Sequence, residues 1–559
     1  MISACPLDCY DACEIVWDGN FRAQKSHLLY NGKLCKNFGN LISQKRIRNG
    51  SNKEILLKTL ADKLSQTKPE KILYFGGSGN VGVMKDSLKM AFGKLGCVIA
   101  DGSLCDGAGS AGIQADRKSV VNPPFENLLN SDLIVVWGRN LTVTSPHIYS
   151  KIKDKTFITI DPVSTEIAKK SVLHIQLKPK TDYLLALVLA RFAFLENLED
   201  KEFLENIGAD YKSFFELARG IRIKQALAEI DVNLDLIGDF LHLIEGKKIA
   251  FLIGVGVQKY FEGDDILRCI DGLAALIGLF GKNYGGVWYL SDSRAGFKNP
   301  FLTDAKTVEL PSVDFSKYDI VFVNGANPAV SMPNSQRVID GLKKAFVVFF
   351  GTFHNETCKY ADLIIGAKNF QEKRDIRLSY ATDEIIKTEI LVHNDEEIGE
   401  FELAKFLVPQ INDEDFYLSC FEKKEPKFEI ESFDFIDDVD IEVENLGENE
   451  FHLVTSKTKN GLNSQFFDSE FAYFPQSSGV EDGQIVTLKS KTGTANFIAK
   501  QSQDLRKDCV LIFAGTKNIN FLTTSMSSKN GSSAIFQEQK VKLMSEDLKE
   551  EDIDLYDTF

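Results

Sequence analysis

Residues 71–82 read KILYFGGSGNVG, a short apolar run followed by a loop with four glycines. A run that is apolar on both faces suits a strand covered on both sides, as in a parallel sheet; a strand with one wet face alternates instead. The pattern returns in SDLIVVWGRN (131–140), TFITIDP (156–162), KKIAFLIGVGVQ (247–258), YDIVFVNGANP (318–328) and KAFVVFFGTF (344–353). Each run ends in Gly, Asn or Asp, where a ligand can approach the backbone or bond to an amide or carboxylate. Such strands, separated by helical stretches, indicate doubly wound α/β units whose ligands sit beyond the carboxyl ends of the strands. None of the loops is a full GxGxxG with its acidic ribose partner, so a single nicotinamide fingerprint is not the reading. Many such loops in one chain suit a large, polyphosphate-bearing cofactor, with Asp161 placed to bind a hydroxyl or a guanine edge.

The chain has 559 residues, too many for one core, and about three or four domains are expected at ~100–200 residues each. A formal charge of -15, with basic residues scattered, argues against nucleic acid or an anionic membrane as partner. FEIESFDFIDDVDIEVENLGENE (428–450) reads as a solvated acidic linker, and MSEDLKEEDIDLYDTF (544–559) as an acidic tail. No apolar run reaches the ~18 residues of a membrane span, and no secretory or twin-arginine leader is visible. The expected location is cytoplasmic, with no direct membrane insertion. There thiols stay reduced, so clustered cysteines point to metal or redox chemistry instead of disulfides.

Three of the ten cysteines, Cys5, Cys9 and Cys13, stand at a four-residue step in CPLDCYDAC, and Cys35 follows in NGKLCKNFG. Four thiolates are what a 4Fe-4S cluster takes, and three close ligands with one distant is a recurrent way to supply them. A tetrahedral zinc site is the rival, although zinc modules usually show two close pairs. Lys36 puts a cation beside the fourth cysteine, which would raise a cluster's potential by stabilising its reduced form. After the acidic stretch, FHLVTSKTKNGLNSQFF, FAYFPQ, EDGQIVTLKSKTGTANFIAK and DCVLIFAG are short strands with Gly-containing turns, as in a compact β-barrel, and EDGQIVTLKSKTG reads as a hairpin.

Together these segments, in this order, resemble the molybdenum- or tungsten-dependent oxidoreductases that carry a bis(molybdopterin guanine dinucleotide) cofactor. CPLDCYDAC with GKLC resembles the family's cluster motif. DGSLCDGAGSAG (101–112) resembles the segment bearing the metal ligand, and DLIVVWGRNLTVTSPH with TIDPVSTEIAKKSVLHIQLKPKTD (159–182) resembles a dinucleotide-binding region. Residues 254–286, NGANPAVSMP (324–333) and 356–375 are similar to later cofactor segments. NGLNSQFF, EDGQIVTLKSKTG and INFLTTS (519–525) resemble the closing barrel.

The resemblance implies a 4Fe-4S cluster on Cys5, Cys9, Cys13 and Cys35, and a molybdenum or tungsten ion ligated by Cys105. Thiolate suits such a soft, dithiolene-held centre. It implies dinucleotide contacts at Gly138, Asn140, Asp161, Thr165, Lys180 and Asp182, then at Gly254, Gly256, Gln258, Asn327 and Pro328, and in the barrel at Asn463, Ser464 and Asn520. The remaining cysteines, 97, 269, 358, 420 and 509, are read as structural.

The implied architecture is a multidomain α/β protein. Residues 1–50 form a small iron–sulfur domain, 51–130 with 331–430 a discontinuous α/β domain, 131–330 a Rossmann-like domain, 445–543 a β-barrel and 544–559 the tail. The implied activity passes electrons between a small-molecule substrate at the metal and the cluster, with an electron-transfer protein or subunit as partner. A non-catalytic iron–sulfur scaffold, like the large subunit of NADH-quinone oxidoreductase, is the alternative; hydration on the same cofactor is a third.

Some positions depart from the family's pattern. Leu141 follows Asn140 where proline is usual, and PKTD stands for PGTD. Asn37 occupies the place of the relay lysine, with Lys36 one residue early. Asp106 stands where formate dehydrogenases have a histidine, which disfavours formate. His147 and His354 follow glycine loops and are candidate acid–base groups.

Overall fold

The computed structural model describes all residues except 26–28, 30, 31, 208, 209, 291, 426–429 and 545–559, so the acidic tail lies outside the described residues from residue 545 on. All six apolar runs form strands. They fall into two parallel sheets, both buried on each face, as their unbroken apolar sequences require.

The six-stranded sheet has the order Thr307–Glu309, Val98–Asp101, Ile72–Gly76, Ile320–Asn324, Phe346–Gly351, Leu363–Gly366. The five-stranded sheet has the order Gly286–Trp288, Ile249–Ile253, Leu133–Trp137, Thr156–Ile160, Leu173–Ile175. In each, the chain runs outward on one side of a central strand and returns on the other. This creates a switch point between Ile72–Gly76 and Ile320–Asn324 in the first sheet, and between Leu133–Trp137 and Ile249–Ile253 in the second.

The boundary expected at residue 330 does not hold. Thr307–Glu309 and Ile320–Asn324 belong to the six-stranded sheet, and Ile320–Asn324 is its centre, paired with both Ile72–Gly76 and Phe346–Gly351. The chain crosses between sheets after Trp288 and before Thr307. A both-faces-apolar strand carries no local label for the sheet it joins; only its pairing partners decide.

The N-terminal strands Ile2–Ala4, Glu14–Trp17 and Phe21–Ala23 make a small antiparallel sheet that holds the first cysteines at its turn. At the other end a closed six-stranded barrel spans Glu450–Ser456 to Lys540–Leu543. The expected hairpin is present as Ile485–Lys489 paired with Thr494–Ser502.

The acidic stretch before the barrel is not a solvated linker. Phe433, Phe435 and Ile436 are buried in the core of the five-stranded domain, with Ile430, Val439 and Ile441 packed at its edge. Asp434 donates its N–H to Asp116 O (2.9 Å) and its carbonyl accepts from Arg268 Nη2 (3.1 Å), while its carboxylate pairs with Lys118. The stretch interleaves apolar and acidic residues, so it presents one side to the core and the carboxylates to water; acidity counted as a total conceals that alternation.

Candidate functional site

The loops leaving the two switch points open onto one cavity of about 1300 Å³. From the six-stranded sheet come Gly76–Asn80 and Asn324–Asn327; from the five-stranded sheet come Gly138–Asn140 and Gly254–Gly256. Within each pair the backbones almost touch. A Cβ on Gly254 would lie 2.0 Å from Gly138 O, and one on Gly77 would lie 2.5 Å from the Ala326 Cβ. Glycine is therefore a steric requirement at both crossings. The volume exceeds the ~300–1,000 Å³ of an ordinary small-molecule pocket, as a large or paired cofactor would need.

Cys5, Cys9, Cys13, Cys35 and Cys105 all line this cavity, as do Gly138, Asn140, Gly254, Gly256, Asn327, Asn463, Ser464 and Asn520. His147 and His354 line it too. The first four thiols are neighbours: burial pushes the Cys5, Cys9 and Cys13 thiols well up, and Cys9 and Cys35 add to the rise at Cys5, Cys35 at Cys9, and Cys9, Cys5 and Cys35 at Cys13. Among the described residues no three of His, Cys, Asp and Glu are gathered as the sphere of a single metal ion. Cys35 also begins the helix Lys36–Ser43 as its N-cap residue.

Cys105 sits between the strand Val98–Asp101 and the helix Gly107–Arg117. Ser103 Oγ accepts from the backbone N–H of Cys105 (2.9 Å) and of Asp106 (3.0 Å) and donates to Asp106 Oδ1 (3.0 Å), which fixes the turn. Burial pushes the Cys105 thiol up to about 11; Asp106 adds to the rise, while Lys457 and Lys259 oppose it. Lys259 is 7% exposed, lines the cavity and lies 4.9 Å over the Phe536 ring; Lys457 donates to Asn463 Oδ1.

Asp161, Thr165, Lys180, Asp182, Gln258 and Pro328 do not line the cavity. Asp161 accepts from Val163 N (2.8 Å) and Thr165 Oγ1 from Ala168 N (3.3 Å). Asp182 accepts from Trp137 Nε1 at 2.7 Å, and Pro328 opens a helical turn, Pro328–Ser331. Burial pushes the Asp161 carboxyl up to about 7 and that of Asp182 up to about 6. Lys180 keeps a left-handed backbone, φ 72°, despite replacing the glycine of PGTD, and its ammonium bridges Glu262 (3.0 Å) and Glu538 (2.6 Å). Gln258 is fully buried and holds the Cys105 turn from behind. Sequence reasoning missed Lys259, Lys457 and the buried Arg377 beside the cysteine turn; a cation in a loop or a short strand gives no periodic signal.

The fold is thus two parallel α/β sheets and a β-barrel around a cavity lined with thiols and glycine loops. Residues 54–382 match the molybdopterin oxidoreductase family, and the chain belongs to that family. It is 25% identical over 424 residues to the probable oxidoreductase YyaE of Bacillus subtilis, covering 67% of this chain and 63% of that protein. It is 26% identical over 287 residues to the F420-dependent formate dehydrogenase subunit alpha of Methanocaldococcus jannaschii, covering 44% of this chain and 43% of that one. It is also 23% identical over 319 residues to the assimilatory nitrate reductase catalytic subunit of Bacillus subtilis, covering 49% and 45%. The matches span less than two thirds of these relatives' own length. Acetylene hydratase from Pelobacter acetylenicus shares the fold, with a TM-score of 0.70 over 92% of each chain at 15% identity. Among the described residues no helix is long and apolar enough to cross a membrane.

Proposed function

We propose that this chain is a catalytic subunit in which a molybdenum or tungsten ion, held by a bis(molybdopterin guanine dinucleotide) and by Cys105, exchanges electrons between a small substrate and a 4Fe-4S cluster on Cys5, Cys9, Cys13 and Cys35. The observation that carries this reading is that one cavity receives both the four N-terminal thiols and Cys105, together with both switch points. Four thiols brought to one cavity from a close triplet and one distant position suit a cluster, which takes one thiolate per iron, better than zinc, whose modules usually show two close pairs.

When bound, the pterin-held metal supplies two-electron chemistry, and the cluster passes electrons singly. The protein's part is to hold and orient. Gln258 and Ser103 fix the Cys105 turn. The amides of Asn140 and Asn463, whose oxygens accept from Thr142 Oγ1 and Lys457 Nζ, offer N–H donors of the kind that phosphates and a guanine require, while the N–H groups of Gly77, Gly138 and Gly254 donate to Asn324 O, Ile160 O and Trp137 O. Lys259 and Lys457 put positive charge beside Cys105, which favours its thiolate and any anionic group bound there. Asp106 accepts from Ser103 Oγ and Ser110 Oγ (3.2 Å) and stands where a histidine acid–base group would be in formate dehydrogenases.

Metal analysis of protein purified without oxygen tests the reading. The expected result is roughly four irons and one molybdenum or tungsten per chain. Iron without molybdenum or tungsten would replace it with the non-catalytic scaffold, and zinc alone would remove the electron path.

A further inference from the structure

Arg377 lies on the strand Asp375–Leu378, whose hairpin partner Ile385–Thr388 packs against the N-terminal strand Ile2–Ala4. Its side chain is buried, at 3% exposure. Nη1 donates to Leu378 O (2.8 Å), and Nη2 donates to Cys9 O (3.3 Å) and Leu7 O (3.5 Å), the turn between the first two cysteines. Nε is buried with no hydrogen-bond partner, and among the described residues no carboxylate forms an ion pair with the guanidinium. The group lies 5.5 Å over the ring of Tyr380, whose hydroxyl donates to Asp8 Oδ1 (3.2 Å).

A buried cation without a counter-charge costs several kcal/mol, and three carbonyl oxygens offset only part of that. The turn it holds carries Cys9 and follows Cys5, and at both thiols the Arg377 charge opposes the rise that burial imposes, so it favours their thiolates when a metal group draws them into that form. Lys36, beside the fourth cysteine, is exposed, and water screens its charge; the charge on Arg377 acts through the protein interior, where the same separation gives a larger interaction.

We propose that Arg377 is the fixed counter-cation of the iron–sulfur group, a positioning residue that holds the Leu7–Cys9 turn and raises the group's reduction potential. This rests on the iron–sulfur reading above. One-electron reduction adds one negative charge to the bound group, and a nearby buried cation stabilises that state over the oxidised one.

The test uses the full chain purified without oxygen, with iron and sulfide content and the midpoint potential followed by electron paramagnetic resonance during reductive titration. Arg377→Gln and Arg377→Met should move the midpoint negative, while Arg377→Lys should stay near the wild-type value. Loss of iron from Gln and Met variants with retention in the Lys variant would also support the role, because charge alone would then hold the thiolate set together. An unmoved midpoint in an iron-replete Met variant would overturn it, as would equal iron loss in all three variants. Wild-type protein without an iron–sulfur signal would sink the cluster reading itself, before any variant is compared.

Discussion

Gln258 Nε2 donates to the carbonyl oxygen of Cys105 at 2.5 Å while its Oε1 accepts from Gly109 N at 2.8 Å. One fully buried amide from the second switch-point loop thus grips both sides of the turn that presents the thiol. Gln258→Ala leaves the Gly109 N–H and the Cys105 carbonyl without these partners, at about 1–3 kcal/mol each. The expected outcome is a lower melting temperature and faster alkylation of Cys105 in cofactor-free protein, read peptide by peptide by mass spectrometry. Unchanged alkylation would show that Ser103 alone fixes the turn.

Lys259 tests the electrostatics of the same thiol. Removing its charge in Lys259→Met should raise the Cys105 ionisation further above about 11, because one of the two cations that oppose burial is gone. Burial lowers Lys259 to about 8, so its charge is present below that pH: alkylation of Cys105 at a fixed pH near 7 should slow by several-fold, while Cys420, remote in sequence, reacts as before.

Helices Gly107–Arg117 and Gly263–Leu276 meet through a buried pair, Arg117 with Asp271, whose side chains are 2% and 1% exposed. Arg117 Nε donates to Asp271 Oδ2 at 2.6 Å. Arg117→Met strands the carboxylate and should cost about 3–5 kcal/mol in denaturant unfolding. The double change Arg117→Met with Asp271→Leu should cost less than the single one. A larger loss in the double variant would mean that the pair stabilises by its net charge interaction.

The acidic strap preceding the barrel makes a stability prediction opposite to that of a linker. Phe435→Ala should destabilise by about 3–5 kcal/mol, because the ring is 8% exposed within the core. Asp437→Asn and Asp438→Asn, both exposed, should stay within about 0.5 kcal/mol of wild type. A silent Phe435→Ala would return the stretch to the status of a tether.

Burial lowers the His452 imidazole from 6.5 to about 4, with Lys178, Arg506 and Lys540 adding to the fall and Asp508 opposing it. The folded state therefore holds this ring neutral where the unfolded chain would protonate it. Its contribution to stability is complete above about pH 6.5 and is lost as pH falls toward 4, up to about 3 kcal/mol. His452→Gln should flatten that acid limb in unfolding measured from pH 7 to pH 4.

What was legible in the sequence follows from locality. Strands such as Leu133–Trp137 and Phe346–Gly351 announce themselves because burial on both faces leaves no polar position. That Cys5, Cys9, Cys13 and Cys35 meet at one cavity is legible in part, since three of them stand within nine residues. The sheet that Ile320–Asn324 joins is not, since the choice rests on partners some 250 residues away in Ile72–Gly76. Gln258 and Arg377 were opaque in role for a related reason: an amide or guanidinium declares its purpose only through the carbonyls it meets, and those belong to distant segments. Asp161 and Asp182 were read as facing the ligand, yet their carboxylates bond Val163 N and Trp137 Nε1.

The crossing of the chain between sheets fixes the order in which the cavity's walls are synthesised. The five-stranded sheet, Leu133 to Trp288, is inserted into the six-stranded one, whose central gap is filled only when Ile320–Asn324 is made. All five strands of one wall therefore precede, in the chain, the middle strand of the other. Lys457, Asn463, Asn520 and Phe536 arrive later still, with the barrel. The wall that faces both sheets across the cavity is thus the last of the three to be synthesised.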